Sequence, residues 1–538
     1  MMNNLAGETQ DVVVIGSGFG GSVAALRLSE KGYRVLVLER GKRFRDEDFA
    51  RSNWEIHKYL WLPAARCFGI LQISLLNGVM ILHGSGVGGG SLGYANVLMT
   101  PDDRLFDAPG WRDLADWRAL LKPHYATARR MLGVTTYPGV TPADQVMRRI
   151  GRDRPVAPAD VGVFFGDPDC DTPDPYFGGA GPARRGCREC GGCMVGCRFN
   201  AKNTLVKNYL YLAERRGAQI VAEMEVTDIR PLSPDQPDGA RYEVVCRSST
   251  GRGASPQRIR ARQVVVSAGV LGTLRLLLRC RDVTRSLPRL SPRLGDQVRT
   301  NSEALMGAIA RDGRVDYSTG VAITSVLQAD EVTRVEPVRF PAGSSLMRLL
   351  AAPLLPPERR LWVRWLKAAG YWLRHPSQFY QAYLQPAWAN RATILLVMQT
   401  EDSHMKLRLG RHLFTLGRRD LVSQPDGRGV PARIEIGHHL TRAFAREVDG
   451  MPADSIAEAL LNLPITAHIL GGCPMGRNAD EGVVDVNGET HGYPGLYVVD
   501  GSIVPANPGI NPSLTITALA EHVMSRIPPR DTMPAFHA

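Results

Sequence analysis

The fold of this chain is decided by the stretch VVVIGSGFGG at residues 12–21. Its first four residues are all β-branched and apolar, as in a strand that is buried on both faces. Gly16, Gly18 and Gly21 follow at the spacing that suits a tight turn, close approach to a pyrophosphate and close packing of a helix on the strand. Residues 22–28 then read as a helix, whose N-terminus would attract phosphate. The stretch therefore predicts a strand, turn and helix that bind a nucleotide.

A second apolar run, RVLVL at 34–38, ends at Glu39. A carboxylate at this position can accept hydrogen bonds from both hydroxyls of an adenosine ribose, and it would repel a 2′-phosphate. Strand, turn, helix, second strand and acidic residue thus occur in order within about 30 residues. This order predicts a dinucleotide site, but it does not separate NAD from FAD.

Three further segments favour FAD. The first, HGSGVGGGSL at 83–92, is too rich in glycine for the interior of a helix or strand and indicates backbone wrapped around a ligand. The second, VVVSAGVLGT at 264–273, reads as another strand, turn and helix start. The third combines the strand LYVVDG at 496–501 with the turn NPGINP at 507–512 and a helix over 513–522.

In this order the segments resemble the glucose–methanol–choline oxidoreductases, and most closely their cholesterol-oxidase-like branch. The matching motifs are the opening glycine turn, GVGGGSL at 86–92, SAGVLGT at 267–273, HILGGC at 468–473 and LYVVDGSIVPANPGINPSLTITALAEH at 496–522. The resemblance implies an α/β fold, in which a Rossmann-type FAD-binding domain is combined with a discontinuous α+β substrate domain. The FAD-binding parts are expected at 1–110, 195–300 and 465–538. A substrate or lid segment with a Cys-rich loop is expected at 111–194, and the substrate-binding domain at 301–464.

The resemblance also implies particular contacts with FAD. Asp500 would bind the ribityl or pyrophosphate region, and Asn96 would reach the flavin ring. The turn before Ser513 would place a helix N-terminus near the pyrimidine edge of the flavin, where it stabilises an anionic reduced ring. The full set of expected FAD-binding residues is Gly16, Gly18, Phe19, Gly20, Gly21, Glu39, Arg40, Gly88, Gly89, Gly90, Ser91, Asn96, Val226, Ala268, Asp500, Gly501, Asn511 and Pro512.

Catalytic residues follow from the same resemblance. Oxidation of an alcohol by flavin needs a group that takes the hydroxyl proton and a donor that fixes the oxygen. His468 and Asn511 occupy the family's His–Asn positions, and a neutral imidazole is suited to accept a proton near pH 7. Related cholesterol oxidases also use a carboxylate base from the middle domain. Glu401 is the candidate for that base, with a solvated loop carboxylate as the alternative interpretation.

The expected function is FAD-dependent oxidation of the CH–OH group of a bulky hydrophobic alcohol, sterol-like or terpenoid, to the ketone by hydride transfer. Two alternatives stay open. One is a cholesterol-oxidase-type enzyme that uses O2, and the other is a lyase, isomerase or hydrolase that keeps FAD for structure. The expected partners are the hydrophobic alcohol, an electron-acceptor protein or quinone, and a membrane surface in peripheral contact.

A cysteine-rich loop carries four of the nine cysteines, at Cys187, Cys190, Cys193 and Cys197. Three thiolates at i, i+3 and i+6 on a glycine-rich loop can converge on three corners of an iron–sulfur cluster. The loop therefore predicts a [3Fe–4S] or [4Fe–4S] cluster, which would make the enzyme a dehydrogenase. Zinc, which usually takes two separated pairs of cysteines, and thiols without metal are the alternatives.

Residues 361–374 repeat with helical spacing and contain three of the eight tryptophans. The apolar face comprises Trp362, Trp365, Leu366, Ala369, Trp372 and Leu373, and the basic face comprises Arg360, Arg364, Lys367 and Arg374. Two interpretations are open. The helix either caps the substrate domain with its apolar face, or lies on a membrane or at an apolar mouth of the substrate site.

Composition places the chain among ordinary globular proteins, with 44% hydrophobic and 22% charged residues and a net charge of +12. It contains no run of about 20 apolar residues, which argues against a membrane-spanning helix. No block of Lys and Arg is interleaved with aromatic residues, so nucleic acid is not an expected partner. The basic surface fits either solvation alone or attraction to anionic lipid. Residues 1–10 show no export signal, which predicts a cytoplasmic protein, with membrane association left open.

Overall fold

The computed structural model describes residues 8–251, 255–412, 417–427 and 429–532. Residues 1–7 and 533–538, the outer ends of two expected FAD-binding parts, lie outside this description. The expectation about targeting rests largely on residues 1–7 and therefore also lies outside it. No helix among the described residues is both long enough and apolar enough to cross a membrane.

The expected strand, turn and helix form at the start of the chain. Gln10–Ile15 is a strand and Phe19–Glu30 is the helix that follows the glycine turn. The strand pairs in parallel with Val35–Leu38 on one side and with Gln257–Val266 on the other. Val13, which lies opposite Leu36 and Val264, is fully buried, as expected for an apolar run covered on both faces.

These strands belong to a seven-stranded sheet, the nucleotide sheet. Its strand order is Gln219–Val221, Val35–Leu38, Gln10–Ile15, Gln257–Val266, Tyr242–Ser248 and Met224–Pro231, and Leu496–Val498 pairs in parallel with Gln257–Val266. The first and last segments of the chain thus meet in one sheet, which confirms the expected α/β fold with a discontinuous FAD-binding layer.

A second seven-stranded sheet, the substrate sheet, is antiparallel at every pairing. Its strand order is Ala351–Pro353, Gly450–Ser455, Ala304–Ala310, Ala392–Gln399, Thr333–Val338, Ser325–Gln328 and Val156–Pro158. The helices Pro142–Gly151 and Glu435–Glu447 share a hydrophobic core with this sheet. One sheet face is therefore covered by helices, as in α+β architectures.

Two segments depart from the expected domain boundaries. Within 111–194, the helix Trp117–Met131 packs on Ser513–Arg526 and joins the core of the nucleotide sheet, whereas Val156–Pro158 is an edge strand of the substrate sheet. Within 301–464, the hairpin of residues 404–426 places Met405, Leu407 and Leu421 in the core of the nucleotide sheet. The chain therefore passes between the nucleotide sheet and the substrate sheet more often than the sequence motifs predict.

The remaining elements are short connections and covering helices. The α-helices are Phe19–Glu30, Ile56–Tyr59, Trp117–Met131, Pro142–Gly151, Tyr209–Arg215, Gly269–Asp282, Leu361–Arg374, Pro376–Phe379, Trp388–Arg391, Glu435–Glu447 and Ser513–Arg526. The further strands are Trp61–Leu62 with Cys67–Phe68, Leu71–Leu76 with Val79–Gly84 and Ile465–Thr466, Thr135–Thr136 with Asp160–Val161, and His404–Gly410 with Asp420–Asp426.

The expected amphipathic helix forms at Leu361–Arg374. Its apolar face is exposed, however, whereas a helix that caps the substrate domain would bury that face. Arg364 and Ala368 are its buried residues, while Trp362, Trp365 and Leu366 are exposed. The interpretation in which the apolar face packs on the substrate domain is therefore wrong.

Candidate active site

A cavity of about 650 Å³ is lined by residues of both sheets. The glycine turn at 16–18 and the end of the second nucleotide strand form its nucleotide end, and His468 and Asn511 also line it. Its volume is in the range of cavities that enclose an organic cofactor together with part of a substrate.

The nucleotide end has the features that a bound pyrophosphate requires. No side chain caps the helix Phe19–Glu30, so its first backbone N–H groups are left for a ligand. A Cβ added at Gly18 would meet no atom within 4 Å, whereas one at Gly89 would lie 2.6 Å from the Cα of Gly18. Gly18 thus leaves open space for a ligand, and Gly89 lets the second glycine loop approach the first.

Glu39 lies at the expected place at the end of the strand Val35–Leu38. It is buried and lines the cavity. Its carboxylate accepts hydrogen bonds from the backbone N–H and the hydroxyl of Ser17, at 3.1 and 2.8 Å, and from the N–H of Gly41 at 2.8 Å. These contacts hold the carboxylate at the edge of the cavity, where an adenosine ribose would reach it.

Most of the expected FAD-binding residues line the cavity. They are Gly16, Gly18, Phe19, Glu39, Arg40, Gly89, Gly90, Val226, Ala268, Gly501, Asn511 and Pro512. Those that do not line it are Gly20, Gly21, Gly88, Ser91, Asn96 and Asp500.

For several of the expected residues that do not line the cavity, the structure shows another role. A Cβ at Gly20 would lie 1.7 Å from the carbonyl oxygen of Val499, and one at Gly21 would lie 2.0 Å from that of Gly16, so both glycines permit close packing. The carboxylate of Asp500 accepts hydrogen bonds from Thr273 at 2.6 Å and from Ser502 at 2.6 and 2.8 Å. The oxygens of Asp500 thus hold the turn together, and the expected contact of Asp500 with the cofactor stays a prediction.

Asn96 is different, because nothing in the described residues satisfies it. The residue is fully buried, and neither its amide nitrogen nor its amide oxygen has a hydrogen-bond partner there. Its neighbours Ala95 and Val97 line the cavity. An orphaned buried amide beside a cavity is costly unless a ligand pairs with it, so this residue fits the presence of a polar cofactor such as FAD.

A buried carboxylate, that of Glu303, lies beside His468 in the wall of the cavity. Glu303 accepts hydrogen bonds from the hydroxyl of Thr466 at 2.8 Å and from the N–H of Ala467 at 3.2 Å. One of its oxygens lies 3.1 Å from Nδ1 of His468, at an angle that is not that of a hydrogen bond. The contact is therefore chiefly electrostatic, and the carboxylate of Glu303 would stabilise a positive charge on the imidazole, whose Nε2 faces Asn511.

Asn511 lies between His468 and a second buried carboxyl group. Its amide nitrogen donates to the two oxygens of Glu336 at 2.8 and 3.1 Å. The amide oxygen of Asn511 then lies 3.5 Å from Nε2 of His468. Burial raises the pKa of Glu336 to about 8, although the hydrogen bond from Asn511 lowers it. Glu336 is therefore mainly protonated at neutral pH.

Glu401 does not join this cluster. The residue is exposed and does not line the cavity, and its backbone carbonyl accepts a hydrogen bond from Asn507 at 2.6 Å. The expectation that Glu401 is the carboxylate base is therefore wrong. Glu303 and Glu336 are the buried carboxyl groups next to His468 and Asn511.

The sequence did not predict either carboxyl group, because strands that are distant in the chain from residues 468 and 511 bring them to the site. Glu303 immediately precedes the strand Ala304–Ala310, and Glu336 lies within the strand Thr333–Val338. A signal was present at Glu336, since a carboxylate in an apolar strand, between Val335 and Pro337, requires a partner.

The part of the cavity next to His468 is apolar. The substrate sheet contributes Leu305, Val338, Ile394 and Leu396, and the neighbouring loops contribute Ile323, Phe340 and Met347. A polar pair at one end of an apolar chamber suits a large hydrophobic molecule that carries one reactive polar group.

The four cysteines of the loop line a separate cavity of about 220 Å³, together with Lys202. Within the described residues, no three of these thiols lie within 4.8 Å of one another. A single tetrahedral zinc ion would need its sulfur ligands about 3.8 Å apart, so the thiols do not form a zinc site in this structure.

Lys202 connects the cysteine loop to the main cavity. Its Nζ donates to the carbonyls of Cys193 and Tyr94, at 2.8 and 2.9 Å, and Tyr94 lines the main cavity.

Together the nucleotide sheet and the site define a flavoprotein oxidoreductase. Residues 11–53 match the family model of an FAD binding domain, and residues 183–281 and 418–520 match the two models of GMC oxidoreductases. A cholesterol oxidase from Mycobacterium tuberculosis is 44% identical over 96% of this chain and 91% of its own length. One from Acinetobacter baumannii is 42% identical over 97% of this chain and 95% of its own length.

Among solved structures, pyridoxine 4-oxidase from Mesorbium loti shares the fold with a TM-score of 0.61. It is 18% identical, covering 96% of this chain and 99% of the other. The chain belongs to the GMC oxidoreductase family, in its cholesterol-oxidase-like branch. It is an FAD-dependent oxidoreductase that acts on CH–OH donors, which confirms the expected fold class, the family and, of the expected cofactors, FAD.

Proposed function

We propose that this enzyme oxidises the secondary hydroxyl of a sterol-like alcohol to a ketone. The observation that carries the proposal is the position of His468 and Asn511, which face an apolar chamber in the same cavity that holds the nucleotide turn. The names of the two relatives, both cholesterol oxidases, support a sterol over a terpenoid.

The side chains have distinct tasks in this proposal. The apolar chamber excludes water and orients the alcohol so that its hydroxyl reaches the polar end. Nε2 of His468 takes the hydroxyl proton, because Glu303 beside Nδ1 stabilises the imidazolium that forms. The amide of Asn511 fixes the substrate oxygen, and Glu336 holds that amide in place. Bound FAD supplies the acceptor for the hydride that leaves the same carbon.

The experiment follows flavin absorbance after anaerobic mixing of the holoenzyme with detergent-solubilised cholesterol. We expect bleaching of the flavin in the wild-type enzyme. His468→Asn, which keeps the size of the side chain but removes the base, should slow bleaching by about 10²- to 10⁴-fold. Glu401→Gln is the matched control and should bleach at the wild-type rate.

Two results would overturn the proposal. Near-normal bleaching by His468→Asn would remove the histidine from the reaction. A chemically changed product with an unbleached flavin would instead identify a lyase, isomerase or hydrolase that keeps FAD for structure.

A second proposal concerns the electrons after the flavin. Four thiols line one cavity, and Lys202 connects their loop to Tyr94 of the main cavity. Cys187, Cys190, Cys193 and Cys197 would hold an iron–sulfur cluster, whose thiolates bind different irons and so need not approach each other as closely as around one zinc ion. Such a group would take electrons one at a time toward a protein or quinone acceptor in place of O2. Iron and sulfide analysis of anaerobically purified enzyme tests it, and a pure flavin spectrum without iron would refute it.

A further inference from the structure

The strongest unexplained feature is a group of three buried titratable side chains, His438, Asp454 and Glu458, which lie outside both cavities described above. One imidazole nitrogen and one carboxylate oxygen from each acid all lie within 4.8 Å of one another. Among the described residues, no other three His, Cys, Asp or Glu side chains are so close together. We call this group the His–Asp–Glu cluster. None of its members takes part in the candidate active site.

The His–Asp–Glu cluster is assembled by one short stretch of chain. His438 lies on the helix Glu435–Glu447, which covers the substrate sheet, and Asp454 lies on the strand Gly450–Ser455 of that sheet. Glu458 follows in the next turn of the chain. Short connections of this kind bring side chains together at a small cost in chain entropy.

The ligand-forming atoms of the cluster are buried and only partly satisfied. His438 is fully buried, and Asp454 and Glu458 are each 4% exposed. Nε2 of His438 and Oε1 of Glu458 share a hydrogen bond of 2.6 Å. Oε2 of Glu458 and Nδ1 of His438 have no hydrogen-bond partner among the described residues. Since unsatisfied buried polar atoms are rare in folded proteins, these two atoms point to a further ligand.

The neighbouring cations contact the carboxyl groups of the cluster only weakly. Nη1 of Arg433 lies 3.9 Å from Oε1 of Glu458, whereas Nε of the same arginine pairs with Glu435 at 2.8 Å. Arg364 donates to the backbone carbonyl of Glu458 and not to its carboxylate. Two carboxyl groups this close and this deeply buried require either a shared proton or a bound cation.

The donor atoms select the class of cation. An imidazole nitrogen is a ligand for first-row transition metals, and carboxylate oxygens accept the same ions. Ca²⁺ and Mg²⁺ prefer sites made of oxygen ligands alone. Three protein ligands of these types, with a further position for water, are typical of zinc sites.

We propose that the His–Asp–Glu cluster binds one divalent first-row transition-metal ion, Zn²⁺ or Mn²⁺, through His438, Asp454 and Glu458. The ion takes the place of the protons that these groups otherwise hold. It joins a helix, a strand and a turn next to the substrate sheet, and it therefore stabilises this part of the fold. The proposal does not rest on the proposed oxidation.

The test measures binding of Mn²⁺ to the FAD-loaded holoenzyme after treatment with EDTA and dialysis. Mn²⁺ is the probe because it prefers oxygen and nitrogen ligands, so the thiols of the cysteine loop compete little for it. Electron paramagnetic resonance of the free ion gives the bound amount. We expect one bound Mn²⁺ per chain, and Zn²⁺ should displace it because Zn²⁺ binds such sites more tightly.

Glu458→Gln and Asp454→Asn each keep the size of the side chain and remove one anionic ligand. Each variant should bind Mn²⁺ at least about tenfold more weakly than the wild type. Added Mn²⁺ should raise the melting temperature of the wild type and leave that of both variants unchanged. Flavin content and metal-free melting establish that the variants are folded.

The matched control is Glu435→Gln, which removes an exposed carboxylate from the helix that carries His438. It should bind Mn²⁺ like the wild type. A wild-type enzyme that binds no Mn²⁺ would assign the cluster to a shared proton and refute the metal site. Equal binding by the wild type, Glu458→Gln and Asp454→Asn would refute it as well. Because none of these readouts uses turnover, failure here is distinct from failure of the proposed oxidation.

Discussion

At the scale of single residues, the site depends on two buried carboxyl groups that share one region. Both Glu303 and Glu336 are almost completely buried, and the charge of Glu303 contributes to the raised pKa of Glu336. Like charges in a low-dielectric site disfavour a second ionisation. Glu303 lies beside His468, whereas Glu336, which is mainly protonated at neutral pH, lies beside Asn511, so the two acids have different tasks.

This difference gives a prediction about pH. In the folded protein Glu336 has a pKa of about 8, against 4.5 when unfolded. Between these values the folded state binds one proton more than the unfolded state, so this group lowers the free energy of unfolding as pH rises. Glu336→Gln mimics the neutral acid and removes that cost. We expect the variant to gain about 3 to 4 kcal/mol over the wild type between pH 5 and pH 8.

The measurement is urea unfolding of both proteins at the two pH values. At pH 5 the wild type and the variant should be nearly equal in stability, and at pH 8 the variant should be the more stable. Glu401→Gln is the control, because an exposed carboxylate should give no such trend. A constant difference between wild type and Glu336→Gln at both pH values would contradict a protonated Glu336.

At the scale of elements, sequence predicts best what is local. The strand, turn and helix at 10–30 follow from residue types at fixed spacing, and the helix at 361–374 follows from its period. Periodicity gives a helix two faces but does not say which one meets the protein. That choice depends on carbonyls of residues 458–459, almost 100 positions away in the chain. Glu303 and Glu336 were missed for the same reason, because distant strands bring them to His468 and Asn511.

The orientation of this helix makes Arg364 the residue to test. Arg364→Leu would leave two carbonyls and the side chain of Asn462 without their donors. Losing a buried cation with several hydrogen bonds costs about 2–4 kcal/mol. We expect faster hydrogen exchange confined to residues around 361–384 and 456–462. Lys367→Ala, which removes only the surface pair with Glu358, should cost less than about 1 kcal/mol. Equal effects of the two changes would show that Arg364 does not hold the helix.

At the scale of the whole molecule, the two sheets meet around one cavity, so occupation of that cavity joins the two layers. The nucleotide sheet supplies the glycine turn and Glu39, and the substrate sheet supplies the apolar chamber. Bound FAD should therefore stabilise the entire fold, by an amount that grows with the logarithm of free FAD over its dissociation constant. A change that blocks the cavity without disturbing either sheet should abolish this stabilisation alone.

Gly18→Ala is such a change. Gly18 has φ −70°, a backbone conformation that alanine adopts without strain. Its added Cβ would meet no protein atom within 4 Å and would project into space kept for the cofactor. We expect the apoprotein to melt at the wild-type temperature, while affinity for FAD falls at least about tenfold, which removes about 1.4 kcal/mol of FAD-dependent stabilisation. Gly370→Ala, on an open position of the helix Leu361–Arg374, is the control and should leave FAD binding unchanged. Titration of both apoproteins with FAD, followed by flavin fluorescence and thermal melting, decides the matter: full flavin binding by Gly18→Ala would mean that the pyrophosphate does not pass over this turn.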